Sequence, residues 1–203
     1  MSDILLFLLP GSMYFWVMFV GQGSLQEVVQ EQENRILTRV LACPVTAGQY
    51  ILSKMLRCFA LCSVVIVLLL VTSGLLFGIR WGNPAKLVLV ILLWSGSMTG
   101  LVSLIFALAR TREQANVLSP VVLMLFAMLG GSMFPYENLP AFLRLVGQFT
   151  PNRWAVLVLQ GVVHSRPLAE LTPPFAGLLA VALGGGALAY VLFKQRLSPG
   201  RLK

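Results

Sequence analysis

Glu27 to Lys54, EVVQEQENRILTRVLACPVTAGQYILSK, is the one long polar stretch in an otherwise apolar chain. Val29, Ile36, Leu37, Val40 and Leu41 recur on a helical period, while Glu31, Glu33, Arg35 and Arg39 fall on the opposite side. That pattern predicts an amphipathic helix over residues 27–42, with one apolar stripe and a charged back. Pro44 ends it, because the residue before a proline is pushed out of the α region. Thr46-x-x-Gln49 then has the form of a capping box, with Val45 placed to staple onto Tyr50, so a second helix begins at once. The polar island is therefore a helix, a break and a new helix start, set between two apolar runs.

Working outward, composition assigns the chain to the membrane. Of its 203 residues 58% are hydrophobic and only 11% charged, with a mean hydropathy of +0.86, whereas soluble domains carry about a quarter charged residues. Fifteen Lys and Arg against seven Asp and Glu give a net charge of +8. The basic residues stand singly or in pairs beside apolar runs, as the positive-inside rule places them, and form no patch suited to nucleic acid. Cys43, Cys58 and Cys62 include no CxxC pair. Cys58 and Cys62, four apart on one helix face, are expected to pack as small apolar residues. Met1-Ser2-Asp3 lacks the basic start of a signal peptide.

Five segments are long and apolar enough to span a bilayer: residues 4–21, 58–79, 87–109, 115–134 and 172–193. Pro10-Gly11 interrupts the first, which a membrane helix tolerates when its neighbours satisfy the freed carbonyl. Arg80 to Pro84 reads as a tight turn carrying an interfacial Trp81. Gly96 and Gly100, four apart in the third span, form a small-residue face for close helix packing, within the chain or between chains. Residues 138–163 contain two apolar runs, Leu139–Phe149 and Trp154–Val163, each too short to cross. They are expected to form a re-entrant or interfacial hairpin at the outer face.

Charge sets the orientation. With five spans, the polar island, the Arg110–Glu113 loop and the C-terminal tail share one side, which carries Arg35, Arg39, Lys54, Arg57, Arg110, Arg112, Lys194, Arg196, Arg201 and Lys203. The other side has only Arg80, Lys86, Arg144, Arg153 and Arg166, so the first side is expected to be cytoplasmic. The N-terminus then lies outside. Either an upstream span lies beyond this sequence, or a short first helix inserts in that sense.

The chain shows no GxxxxGK[ST] loop to cradle phosphates, no HExxH and no GxSxG. Its single His164 has no carboxylate within a helical turn and is expected to be a hydrogen-bonded surface residue. None of the spans carries a charge in its interior, which ranks an intramembrane enzyme lowest and weakens the readings of an ion-coupled carrier or a charged pore without excluding them. If the protein moves a solute, energy must enter through a partner at the cytoplasmic side.

Glu31 to Val45, EQENRILTRVLACPV, resembles the signature of ABC-2 type ABC transporter permeases, Glu-x-Glu-x-x-(Thr/Leu)-x-x-x-Leu-x-x-(Ser/Thr)-Pro-(Val/Leu). Glu31, Glu33, Leu37, Leu41, Pro44 and Val45 fit it; Cys43 and Arg39 depart from it. Gly130-Gly131-Ser-Met-Phe-Pro135, then Leu139-Pro140 and Pro151, is similar to the family's extracellular hairpin. The resemblance covers nearly the whole chain. It implies an all-α polytopic membrane protein, a single transmembrane domain over residues 1–203 lacking the family's first span and any external domain. The 27–42 helix would be a coupling helix in which Glu27, Glu31, Glu33, Arg35, Leu37, Leu41, Pro44 and Val45 engage a cytoplasmic ABC ATPase. ATP would be bound by that subunit, so this chain needs no cofactor or metal and is no enzyme itself. A second permease half, identical or not, would complete an exporter in a bacterial or archaeal plasma membrane, with the C-terminus cytoplasmic. The other reading is a non-transporting scaffold that recruits a partner through the same helix. Its acidic start, Glu27, Glu31 and Glu33, argues against a helix that merely lies on anionic lipid.

The topology carries its own test. Single cysteines introduced at Asn138, Arg153 and Arg166 are expected to react with an impermeant thiol reagent in intact cells. A requirement for permeabilisation at any of the three overturns the outer placement.

Overall fold

The structure, a computed structural model, describes residues 2–33, 46–79, 81–109, 111–133 and 136–196. Among these, apolar sequence organises into helices only. They are α1 (Ser2–Glu33), α2 (Ala47–Phe77), α3 (Pro84–Leu108), α4 (Arg112–Leu129), α5 (Ala141–Gly147), α6 (Pro151–Val163), α7 (Leu168–Ala180) and α8 (Gly186–Arg196). A 3₁₀ turn, Tyr136–Asn138, precedes α5, and a π-helical segment, Val181–Gly185, joins α7 to α8 into one long rod. By length and composition, Ala47–Phe77, Pro84–Leu108 and Ala169–Gln195 can each cross a membrane, with Glu113–Leu129 a shorter apolar helix. The chain is an all-helical multi-pass membrane protein.

Helix starts follow from local chemistry. Thr46 stands in extended backbone before α2 and its hydroxyl accepts from the Gln49 amide, while the Gln49 side-chain oxygen accepts from the Thr46 amide at 3.0 Å. This is the capping box expected there, and it satisfies two of the amides that a helix start leaves unpaired. Asn83 caps α3 ahead of Pro84, Thr111 caps α4, and Thr150 caps α6 ahead of Pro151. Gly78 ends α2 at φ +65°, a left-handed conformation that suits glycine.

α3 is the central post. Of its most apolar window 61% is buried, against 22% for α2 and 17% for the last rod. Trp94 is fully enclosed and meets the Tyr14 ring edge to face at 5.1 Å. The Tyr14 hydroxyl in turn lies 3.1 Å from Ser97 Oγ, and Ser63 from α2 donates to Ser95 at 2.9 Å. Cys58 and Cys62 are both buried in the same seam, as packing residues would be. On another side of α3, Gly96 and Gly100 face the π segment. A Cβ on Gly100 would fall 2.5 Å from the Val181 carbonyl oxygen and 2.9 Å from that of Ala182. The small-residue face therefore packs within the chain, backbone against backbone.

Two expectations need correction. Residues 27–33 form no separate amphipathic helix: they are the last turns of α1, which runs unbroken from the first apolar run and takes Pro10 within it. Residues 34–45, holding Arg35, Leu37, Leu41, Cys43, Pro44 and Val45, lie outside the described residues. Nor is Trp81 an exposed interfacial anchor. It is buried, and its indole N–H donates to the Leu70 carbonyl at 2.9 Å, folding the turn back over the end of α2. A bulky ring that can bury its face and still satisfy its one donor gains more inside than at an interface.

The outward faces are apolar, with Leu56, Leu68, Leu75 and Leu76 on α2 and Val117, Val121 and Leu125 on α4 all largely exposed. In water such faces would drive aggregation; against acyl chains they are matched. Gly100→Val is expected to cost about 1–3 kcal/mol through overpacking against the π segment. Gly184, whose Cβ would meet nothing within 4 Å, is the control, and Gly184→Ala should change stability by less than about 0.5 kcal/mol. Thermal unfolding in detergent distinguishes them.

Candidate functional site

The polar end of the bundle is where α1 finishes and α2 begins. Because α1 continues to Glu33, Glu27 and Glu31 project from its last turns beside the first turns of α2. Glu31 accepts from Lys54 Nζ at 2.6 Å and from the Tyr50 hydroxyl, and Glu27 pairs through both carboxylate oxygens with the Arg57 guanidinium. Spacing explains the match. Glu27 and Glu31 stand four apart on α1, and Tyr50, Lys54 and Arg57 stand three or four apart on α2, so each set occupies one face. Lys54 also lies over the Tyr50 ring at 5.6 Å.

The two pairs differ in surroundings. Glu31 and Lys54 are three-quarters or more buried, whereas Glu27 and Arg57 are nearly half exposed. Partial burial by itself would raise the Glu31 carboxyl, but hydrogen bonds from Lys54 and Tyr50 and the nearby charges of Lys54 and Arg57 outweigh it and hold the group below its ordinary value. A further polar link, Gln26 Nε2 to Asn116 Oδ1 at 2.9 Å, ties the same end of α1 to α4. The last helix joins too: a Cβ on Gly48 would strike the Tyr190 hydroxyl, and one on Gly186 would meet Met55 Cε at 3.4 Å.

Of the residues expected to touch a partner, the structure brings Glu27 and Glu31 into pairs with α2. Glu33 is placed at the end of α1, and Arg35, Leu37, Leu41, Pro44 and Val45 lie outside the described residues. Sequence reading missed Tyr50, Lys54, Arg57, Gln26 and Asn116. The signal available was the run of opposite charges on either side of the break, acidic before and basic after. Tyr50 donates to Glu31, while its expected partner Val45 lies outside the described residues.

At the other end, the hairpin region consists of α5 and α6, which the Thr150 cap divides. Gly131 turns at φ +83°, Pro140 precedes α5 and Pro151 opens α6, while Pro135 lies outside the described residues. Asn152, fully buried, donates to Ser132 at 2.6 Å and pins α6 to the end of α4. A Cβ on Gly11 would fall 2.8 Å from Ser132 Cα, so α1 joins the same knot. His164 is exposed, its Nδ1 2.7 Å from the Gln160 carbonyl. Among the described residues no three His, Cys, Asp or Glu side chains cluster as metal ligands do.

The chain is thus a multi-pass helical membrane domain with ion-paired helix roots at one end and a short-helix hairpin at the other. Residues 1–191 match the family described as ABC-2 family transporter protein, and the chain belongs to that family. It is similar to the linearmycin resistance permease protein LnrN of Bacillus subtilis (strain 168), 26% identical over 89% of this chain and 46% of that protein. It is also similar to the probable multidrug ABC transporter permease YbhR of Escherichia coli (strain K12), 23% identical over 84% of this chain and 47% of that one. The chain thus spans about half the length of the curated relatives it matches.

Removing the better-buried charge is expected to loosen the junction. Glu31→Gln should lower stability by about 1 kcal/mol, with Glu27→Gln smaller because that pair is more exposed. The Glu31→Gln, Lys54→Gln double variant should lose less than the sum of the singles. Because the folded carboxyl sits below its ordinary 4.5, its contribution is complete above that value and is lost as pH falls through the lowered folded value. The acid limb of the wild-type unfolding curve should therefore converge on that of Glu31→Gln.

Proposed function

We propose that this chain is the membrane-spanning, substrate-conducting part of an ATP-driven exporter, driven by a separate cytoplasmic ABC ATPase that docks on residues 27–45, and that it works paired with a second permease half. The observation that carries the reading is the ion-paired junction. The segment between Glu33 and Thr46 is rooted at one end in α1 and at the other in α2, and the pairs of Glu27 and Glu31 cross-brace those roots. A push on the segment cannot be absorbed by one root alone. It is delivered to α1 and α2 together, and through Gln26, Gly48 and Gly186 to α4 and the last helix. Packed helices answer such a push by rigid-body shifts rather than by continuous deformation.

This sharpens the roles of the acidic residues. Glu27 and Glu31 act as braces that position the docking segment, and Glu33 and Arg35 are the charged groups by which it meets the ATPase. Hydrolysis belongs to that partner, as the sequence has no phosphate loop of its own. Relatives named for linearmycin resistance and for multidrug transport favour a bulky organic solute as cargo, and export as the direction. The basic bias of the end carrying residues 27–57 and the C-terminal tail favours a cytoplasmic position for both.

Substituting Glu33 and Arg35 together with alanine is expected to abolish co-purification with the ATPase while leaving membrane insertion intact. Glu31→Gln should retain the ATPase yet lower transport per ATP hydrolysed. An undiminished yield of ATPase with the Glu33, Arg35 double variant would falsify the docking assignment.

A further inference from the structure

Beside the hairpin lies a cavity of about 520 Å³ between α6 and the start of α7, which the coupling mechanism does not use. Its walls are apolar and stiff. Phe149, Trp154, Leu157 and the pair Pro173-Pro174 line it, and Trp154 is fixed by α7, since a Cβ on Gly177 would fall 2.6 Å from its ring. Its polar end holds Arg153, backed by Gln148. The Arg153 guanidinium stacks on the Tyr136 ring at 3.8 Å, and the Tyr136 hydroxyl is itself tied to the Arg144 carbonyl. Arg153 is thus held in place by a ring face; the Glu137 carboxylate acts on it from nearby, and among the described residues no carboxylate lies within ion-pair distance of it.

We propose that this cavity binds an anionic amphiphile, with a phosphate or carboxylate head on Arg153 and Gln148 and the chain along Trp154, Leu157 and Pro173-Pro174. Three observations fit that occupant. First, a half-buried guanidinium presents several fixed donors that suit the oxygens of one anionic head. Second, the depth is right. Pro173 lies four residues inside the candidate span that starts at Ala169, about 6 Å along a helix of 1.5 Å rise, where heads meet acyl chains. Third, the neighbouring hairpin is built to sit in lipid: Phe142 and Phe149 are 72% and 73% exposed, so a ligand reaches the cavity from the bilayer. A zwitterionic head is less well served, because the Tyr136 face that could take its cation is already occupied by Arg153. The occupant has two sources, a resident acidic phospholipid or an amphiphilic solute passing through. The site stands independently of ATPase docking.

The test is tryptophan quenching in the full-length permease reconstituted in nanodiscs. The Trp154 signal is obtained as wild type minus Trp154→Phe, with brominated phosphatidylglycerol or brominated phosphatidylcholine as quencher. Anionic lipid should quench it preferentially, by about fivefold, the factor one basic residue supplies at an anionic surface. Arg153→Gln should abolish the preference, Arg153→Lys should keep part of it, and the exposed Arg144→Gln should leave it whole. Relief of quenching by added dodecyl phosphate supports a site that exchanges with free amphiphiles; persistence supports a resident lipid. Equal quenching by the two lipids, or an equal loss in Arg144→Gln, overturns the proposal. Should Arg153→Gln not fold, the Arg153→Lys and Arg144→Gln comparison decides.

Discussion

The rest of the bundle depends on how closely two backbones approach at Gly100. In lipid there is no hydrophobic drive to bring helices together, since acyl chains are as apolar as leucine, so association rests on contact at short range. Gly96 and Gly100 remove side chains from one face of α3, and the π segment Val181–Gly185 brings its own backbone against it. A π segment carries an extra residue per turn and changes the direction in which the following side chains point. Here it follows the end of α7 and re-aims α8 towards Gly48 and Met55 at the polar end. The central post and the last rod are joined at the level of main chain, and α8 leaves that contact to meet Gly48 and Met55 of α2.

Polar chemistry is used sparingly, and beside the local caps and turns a few bonds tie helices together. Within the core, Tyr14, Ser97, Ser63 and Ser95 make hydrogen bonds across α1, α2 and α3. At one end, carboxylates on α1 meet cations on α2; at the other, Asn152 reaches Ser132. Each link pairs a group that would be costly alone in a low-dielectric surrounding, and each fixes a register that apolar packing by itself leaves loose. Membership of the ABC-2 family places these braces in a multi-pass membrane protein, where links between helices hold the ends of the bundle in register.

Much of this was legible beforehand. Hydropathy and charge defined a polytopic helical protein. Thr46 and Gln49 announced the start of α2, and the shortness of 139–149 and 154–163 announced two helices where one span would otherwise be read. The reading failed where the partner of a side chain was remote. Tyr50 was read only for its neighbour Val45, and its donation to Glu31, nineteen residues away, was missed. Trp81 looked interfacial, because a turn sequence does not reveal that the Leu70 carbonyl is within reach. Glu27 and Glu31 looked like a charged outer face, because the unbroken continuation of α1 into residue 33 was hidden by the change from apolar to polar composition.

The sequence by itself determined the class, the caps and the family pattern, because these rest on composition and on neighbours within four residues, where helical geometry leaves little choice. Only the tertiary structure decided what the polar stretch does with its charges. Whether Glu31 faces a partner protein or Lys54 depends on the crossing of two helices, where Gly21 of α1 packs against Cys58 and Cys62 of α2. The stretch from Glu27 to Lys54 thus reads as a docking element in one dimension, and in three its described ends form a braced joint between α1 and α2.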